Sequence, residues 1–247
     1  MKSIPVAALL CLLSLALALG IPAPCWAQEA PGADAPDEDP FAKEEIDRPP
    51  PALADPIAPV NRCIFAFNDK LYFWVLKPVA TGYSYVLPET ARVGVGNFFR
   101  NAAMPVRMVN CLLQGSLKGT GIELARFGIN TTVGVAGFGD PARAWLNLRP
   151  RDEDFGQTLG VWGMSQVCYI TWPLIGPSSL RDTIAWPVNA ALDPLTYVPG
   201  VGLLRTINDT SLRLGDYEEL KANALDPYIA LRDAYNQHRR HAVHTRK

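Results

Sequence analysis

The residues in this sequence best placed to do chemistry are arginines set among apolar neighbours: Arg62, Arg107, Arg126 and Arg181. A guanidinium stays charged and carries five donors. In apolar surroundings it must pair, snorkel or face water. Two readings of these arginines stand. They form ion pairs with acids such as Asp69, Glu123 or Asp182, or they grip a phosphate. A second basic group, Arg143, Arg149 and Arg151, alternates with apolar Trp145, Leu146 and Leu148 in the segment Asp140 to Asp154.

Other chemistry is poorly supplied. His238, His241 and His244 are the three histidines of the chain, and all lie near its end. The body therefore holds no histidine for general-base or metal work. The histidines themselves read either as metal ligands at helical spacing or as part of a frayed basic tail from Arg239 to Lys247. No GxSxG, HExxH or Walker loop occurs. The glycines of Gly134–Gly139 resemble a phosphate loop in composition, but no Lys-Ser/Thr pair follows them. Asp152-Glu153-Asp154 are adjacent carboxylates that would seldom converge on one bond, and Asp154 suits a helix N-cap. No catalytic set, cofactor or metal is expected. A net charge of −1 gives no support to nucleic-acid binding. Cys63, Cys111 and Cys168 show no CxxC spacing; one pair could bond in an oxidising compartment, or all three could serve as small buried thiols.

The elements that must position these residues start after residue 27. Met1-Lys2, the apolar run Val6 to Gly20 and Cys25-Trp26-Ala27 read as a secretory signal peptide over 1–27, with cleavage before Gln28. Pro22-Ala23-Pro24 is a poor lipobox before Cys25, so a lipid anchor there is not expected. Residues 28–54, rich in Pro and acids, form an extended tether. The body, 55–240, has helical patterning: Pro59 to Val75, ended by Lys77-Pro78; Pro88-Glu89 to Asn101; Pro105 to Gln114, stopped by Gly115; and Leu117 to Thr131. Gly134 to Asp154 reads as a loop. Asp154 caps a helix to Trp162, within which Gly156 and Gly160 form a small-xxx-small pair. Tyr169 to Leu174 is extended, and Ser178 or Ser179 caps a helix to Asn189. Two helices, Leu203 to Ala222 and Asp226 to Arg240, precede a basic tail, 241–247.

Phe155 to Leu180 carries no charge and is longer than the ~20 apolar residues that span a bilayer. Six Gly and Pro residues (156, 160, 163, 173, 176 and 177) break it, so no clean span is expected. The fold class is all-α with short irregular pieces, lodged in a membrane as a compact body.

Several ordered motifs resemble the MlaA (VacJ) family of outer-membrane lipid-transport proteins. They begin with Asp55-Pro56, Pro59, Asn61-Arg62, Phe65, Phe67-Asn68 and continue through Leu76-Lys77-Pro78-Val79-Ala80 and Gly96-Asn97-Phe98-Phe99. Pro105-Val106, Val109-Asn110 and Leu113-Gln114-Gly115 follow, then Arg126-Phe127-Gly128-Ile129-Asn130-Thr131 and Asp154-Phe155-Gly156-Gln157-Thr158-Leu159-Gly160. Gly176-Pro177-Ser178, Leu180-Arg181-Asp182, Asp226-Pro227-Tyr228 and Arg232-Asp233-Ala234-Tyr235 complete the series. The resemblance implies a ring- or horseshoe-shaped helical domain in the inner leaflet of the outer membrane, facing the periplasm. It implies an amphipathic channel, a trimeric porin beside it, and phospholipid passed to a soluble periplasmic carrier. A porin-associated scaffold and a lipid-active hydrolase are the rival classes.

Given that resemblance, Asp140 to Asp154 is the expected gate of the lipid path. Gly134–Gly139 would supply its hinge, Trp145, Leu146 and Leu148 would touch acyl chains, and Arg143, Arg149 and Arg151 would meet the phosphate. Arg62 and Arg126 complete the set of expected lipid-path residues.

Overall fold

The computed structural model describes residues 53–244. The leader, its cleavage point, Cys25, most of the tether and the last three residues lie outside the described residues. Eleven α-helices and one hairpin make up the described part. The order is α1 (Ala58–Leu71), α2 (Lys77–Val86), α3 (Glu89–Ala102), α4 (Met104–Leu113), α5 (Leu117–Thr132), α6 (Pro141–Leu146) and α7 (Phe155–Val161). Then come β1 (Tyr169–Trp172), β2 (Gly176–Ser179), α8 (Leu180–Leu192), α9 (Val201–Ser211), α10 (Asp216–Asn223) and α11 (Pro227–His244). A 3-10 turn, Pro194–Tyr197, joins α8 to α9.

Local signals set most boundaries. Pro88 precedes α3 in extended conformation. Gly115 leaves α4 with φ of 73°, and Ser116 caps α5 through the amide of Gly119. Asp154 caps α7 and Ser179 caps α8. Four expectations change. Lys77-Pro78 does not end the first helix. A π turn, Tyr72–Leu76, carries the chain from α1 into α2 without a break. Proline clashes with the carbonyl four residues back in a regular helix, and the wider turn just before Pro78 relieves that clash. The loop 134–154 contains α6, capped by Asp140. The expected helix 203–222 divides into α9 and α10 at Gly215, whose φ is 105°. The final helix runs through His244, and Arg239 is buried rather than frayed. The extended segment at Tyr169 gains an antiparallel partner, with Tyr169 opposite Ser179 and Trp172 opposite Gly176.

Helix α4 packs on α5, α7 on α8, and α9 on α2 and α3, while α11 lies along α7 and the hairpin. The interior of this packing is unusually polar. Asn61, Asn110, Asn208 and Glu123 are fully enclosed, whereas Trp74, Tyr85, Leu117, Trp145 and Leu174 are each 72–86% exposed. Apolar surface on this scale marks a membrane or partner-facing body. No helix among the described residues is long and apolar enough to cross a membrane. No disulfide joins Cys63, Cys111 and Cys168. Cys111 is fully buried, as the small-thiol reading expects, while Cys63 is exposed.

The amides do the joining. Asn61 of α1 donates to the carbonyl of Tyr169 at 3.1 Å and accepts from the amide of Thr171 at 2.8 Å. It thereby fixes α1 to β1, and it also reaches Asp55 at 2.7 Å. Asn208 of α9 donates to the carbonyl of Arg92 at 3.1 Å and accepts from the Tyr83 hydroxyl at 3.2 Å. One side chain thus holds three helices. Asn61→Ala leaves buried backbone groups unpaired and is expected to cost about 2–4 kcal/mol, at roughly 1–3 kcal/mol per orphaned group. Thermal melts of the detergent-solubilised variant check this, and an unchanged melting temperature would refute it.

Candidate functional site

A cavity of about 760 Å³ opens between α3, α4, residues 152–154, α8 and the chain from 195 to 205. Its walls are of two kinds. Phe99, Val106, Trp186, Leu195, Val198 and Leu203 are apolar; Arg100, Arg107, Arg205, Asp152, Glu153, Asp154, Asp193 and Asp209 carry charge. Several of these charges are already engaged. Arg205 meets Asp193 at 3.3 Å, and Arg107 meets Glu123 at 2.7 Å. Arg100, Asp152 and Asp209 are exposed and form no ion pair among the described residues. A cavity of this size, with long apolar walls and a few charged groups, suits a ligand that is itself part hydrocarbon and part ionic.

The wall of charge is built on a buried platform. Glu123 of α5 is fully enclosed, and Arg107 of α4 is 8% exposed. The second carboxylate oxygen of Glu123 accepts from the backbone amide of Arg151 at 2.7 Å. Arg107 also donates to the carbonyl of Arg100 at 2.7 Å. One buried ion pair therefore ties α3, α4, α5 and the segment leading to α7.

Arg126, the next buried arginine on α5, does the same for the other end of that segment. It meets Asp140 at 3.0 Å and donates to the carbonyl of Leu148. Asn130 donates to Asp140 at 2.9 Å and accepts from the amide of Ala142 at 3.1 Å. Burial pushes the Asp140 carboxyl up, but the hydrogen bonds from Arg126 and Asn130 outweigh it and hold the group below the usual carboxylate range.

Asp154 anchors the far end. It caps α7 through the amide of Gln157 at 2.9 Å and receives Arg239 of α11 at 2.9 Å. Burial raises its carboxyl, and again the arginine and the capping amide prevail, so the group sits low. Arg239 reaches on to Asp182 at 2.8 Å, and Tyr235 donates to the same carboxylate. The pair Gly156 and Gly160 serves this cluster instead of backbone-to-backbone contact. A Cβ at Gly156 would stand 2.2 Å from Asp182 Oδ1, and one at Gly160 would stand 2.6 Å from Arg181 Nη1.

The residues expected from sequence fall in several places. Trp145 and Leu146 of α6 are exposed, 72% and 56%. Trp145 lines a separate groove of about 680 Å³ with Val95, Val133, Val135 and Phe138. Arg143 and Arg149 are exposed, and Leu148 and Arg151 are half-buried. Arg126 lies beneath them, committed to Asp140 and Leu148. Arg62 belongs elsewhere: it pairs with Asp226 at 2.8 Å and lies 4.5 Å over the Tyr228 ring. The structure thus joins Arg126 to the 140–151 segment and leaves Arg62 apart. Of the ion-pair partners considered, Glu123 takes Arg107, Asp182 takes Arg181, and Asp69 takes Lys221. The sequence reading missed Trp186, Arg100, Arg205 and Asp209. The signal available was the break Val198-Pro199-Gly200 between two apolar stretches, which turns the chain around the cavity. Residues 134–139 form a hydrogen-bonded turn with Val135, Ala136 and Gly137 all at positive φ, closed by Gly139 donating to the Gly134 carbonyl at 2.8 Å.

Non-spanning helices around an amphipathic cavity define a receptacle for an amphiphile. Comparison with known proteins agrees with that class. The model of the MlaA lipoprotein family matches residues 53–242. The chain is 35% identical over 192 residues to the intermembrane phospholipid transport system lipoprotein MlaA of Escherichia coli (strain K12), covering 74% of this chain and 76% of that one. It is 32% identical to the protein of the same name from Haemophilus influenzae, over 74% and 76% of the two chains. An uncharacterised protein of Rickettsia felis is 34% identical over 196 residues, 76% of this chain and 78% of the other. A solved structure, from work on the structural basis for maintenance of bacterial outer membrane lipid asymmetry, superposes with a TM-score of 0.68 and 32% identity, covering 77% of this chain and 99% of that chain. The chain belongs to the MlaA lipoprotein family.

Two outcomes are expected from the site. Glu123→Ala strands the Arg107 charge in the interior, a loss of about 3–5 kcal/mol. It should also expose residues 140–154 to limited proteolysis, and a wild-type digestion pattern would refute the tie. Asp140 and Asp154 titrate lower in the folded than in the unfolded chain. Their contribution is therefore present above the ordinary carboxylate pKa of about 4 and lost as pH falls through the lower, folded values. Melting temperature should hold between about pH 7 and 5 and fall below about pH 4. Asp154→Asn should flatten that fall, as thermal melts across the range would record.

Proposed function

We propose that this protein is the outer-membrane component of an intermembrane phospholipid transport system and helps to maintain lipid asymmetry. The observation that carries the proposal is the 760 Å³ cavity with one apolar and one charged wall, in a chain of this family. Acyl chains would lie along Phe99, Trp186, Val198 and Leu203, and the headgroup would meet Arg100, Asp152 and Asp209. The exposed apolar side chains of α2, α6 and the hairpin tip would face lipid, so the helices lie in the membrane plane and none needs to span it.

Within that reading the helices close as a ring about the cavity, on the periplasmic side of the outer membrane. A trimeric porin beside the ring and a soluble periplasmic carrier below it are the partners proposed. The 140–154 segment is the proposed gate. Its ends are pinned through Arg126 and Glu123, and its exposed crown, Trp145-Leu146 with Arg143 and Arg149, is the part left to move and to meet lipid.

A photoreactive residue at Leu203, in the cavity, should capture phospholipid in cells, and one at Leu146 should capture it more weakly. Labelling of Leu203 by water-soluble reagents alone would overturn the lipid path. Trp145→Ala with Leu146→Ala should disturb outer-membrane asymmetry while melting as wild type does; intact asymmetry would place the gate elsewhere.

A further inference from the structure

A second cavity, of about 450 Å³, lies between the end of α7, the loop 163–167 and the last turns of α11. No residue lines both it and the larger cavity. Its charge pattern differs as well. Arg181, Arg240 and His244 line it, and no carboxylate does among the described residues.

Two of its lining side chains are buried with polar atoms unmet. Gln166 is 8% exposed, and neither its Oε1 nor its Nε2 has a hydrogen-bond partner. Arg181 is 3% exposed, and its Nη2 is likewise unpartnered. Buried polar groups are nearly always paired in native proteins, and an exception calls for a ligand or a functional reason. The charge of Arg181 is also incompletely met. Its Nε reaches Asp182 at 3.1 Å, but that carboxylate already receives Arg239 and Tyr235. Arg240, half-buried at the rim, forms no ion pair among the described residues. Gly160 leaves the space in which the Arg181 guanidinium comes forward, since a Cβ there would stand 2.6 Å from Nη1.

We propose that this cavity is an anion site that takes a phosphate group, held by the guanidinium forks of Arg181 and Arg240 and by the amide of Gln166. A guanidinium offers paired donors at the spacing of phosphate oxygens, and an amide nitrogen adds a neutral donor. The phosphate belongs either to a phospholipid headgroup or to free phosphate. Met164, Val167 and Val243 on the wall give an esterified group apolar contact.

The test uses the full chain in dodecyl maltoside, titrated with inorganic phosphate by calorimetry, then with dihexanoylphosphatidylglycerol as a competitor. Saturable phosphate binding is expected, weakened about tenfold or more by Arg240→Gln, the loss of one charge-assisted contact. Gln166→Leu removes two unmet buried atoms, so it should melt no lower than wild type while also binding phosphate more weakly. Displacement of phosphate by the lipid assigns the headgroup as the source, and binding without displacement assigns free phosphate. No saturable binding, or wild-type affinity in either variant, overturns the proposal. Binding is read here without transport, so its failure would leave the transport reading untouched.

Discussion

Polar groups in this molecule must find one another, because so much of its surface offers them nothing. Trp74, Tyr85, Leu117 and Leu174 point outward, and an apolar solvent on that side would satisfy no donor or acceptor. The interior takes up the task. Asn61, Asn110, Asn130 and Asn208 each link separate segments, and Glu123 with Arg107 forms the most enclosed ion pair. Such a core is held by directional contacts more than by close-packed hydrocarbon. Each contact also fixes a register: Asn61 reads both the carbonyl of Tyr169 and the amide of Thr171 and cannot slide along β1.

The same constraint shapes the cavity. Its charged wall stands on groups already neutralised from behind, with Arg107 on Glu123, Asp154 on Arg239 and Arg205 on Asp193. The exposed charges left over are few and of both signs, set opposite aromatic and aliphatic side chains. An amphiphile meets a surface divided as it is divided itself.

Much of the secondary structure was legible because its punctuation is local. Pro88, Gly115, Asp154 and Ser179 act through their own backbone or the amides a few residues on, so they can be read without knowing the fold. The ordered motifs were equally legible and pointed to the family that the matches then established. The cavity was not legible. Phe99, Trp186 and Leu203 are far apart in the chain and look like ordinary apolar positions on three helices. Only packing brings them to one wall. The arginines were recognised as notable residues, but charge pattern alone did not separate buried Arg126 from exposed Arg62. The split of α9 from α10 at Gly215 and the survival of the helix through Pro78 both depend on backbone geometry that composition does not disclose.

The π turn between α1 and α2 has a consequence for how this chain tolerates changes in length. A π turn is an α-helix with one residue too many, held as a bulge. Deleting any one of Tyr72–Leu76 would let the helix close into regular form. Everything beyond would then rotate by about 100° about the axis, the angle of one residue. Ala80, now buried, would swing away from the interior, and Pro78 would again press on the carbonyl behind it. A substitution at the same place would alter one side chain; a deletion would re-aim a whole helix.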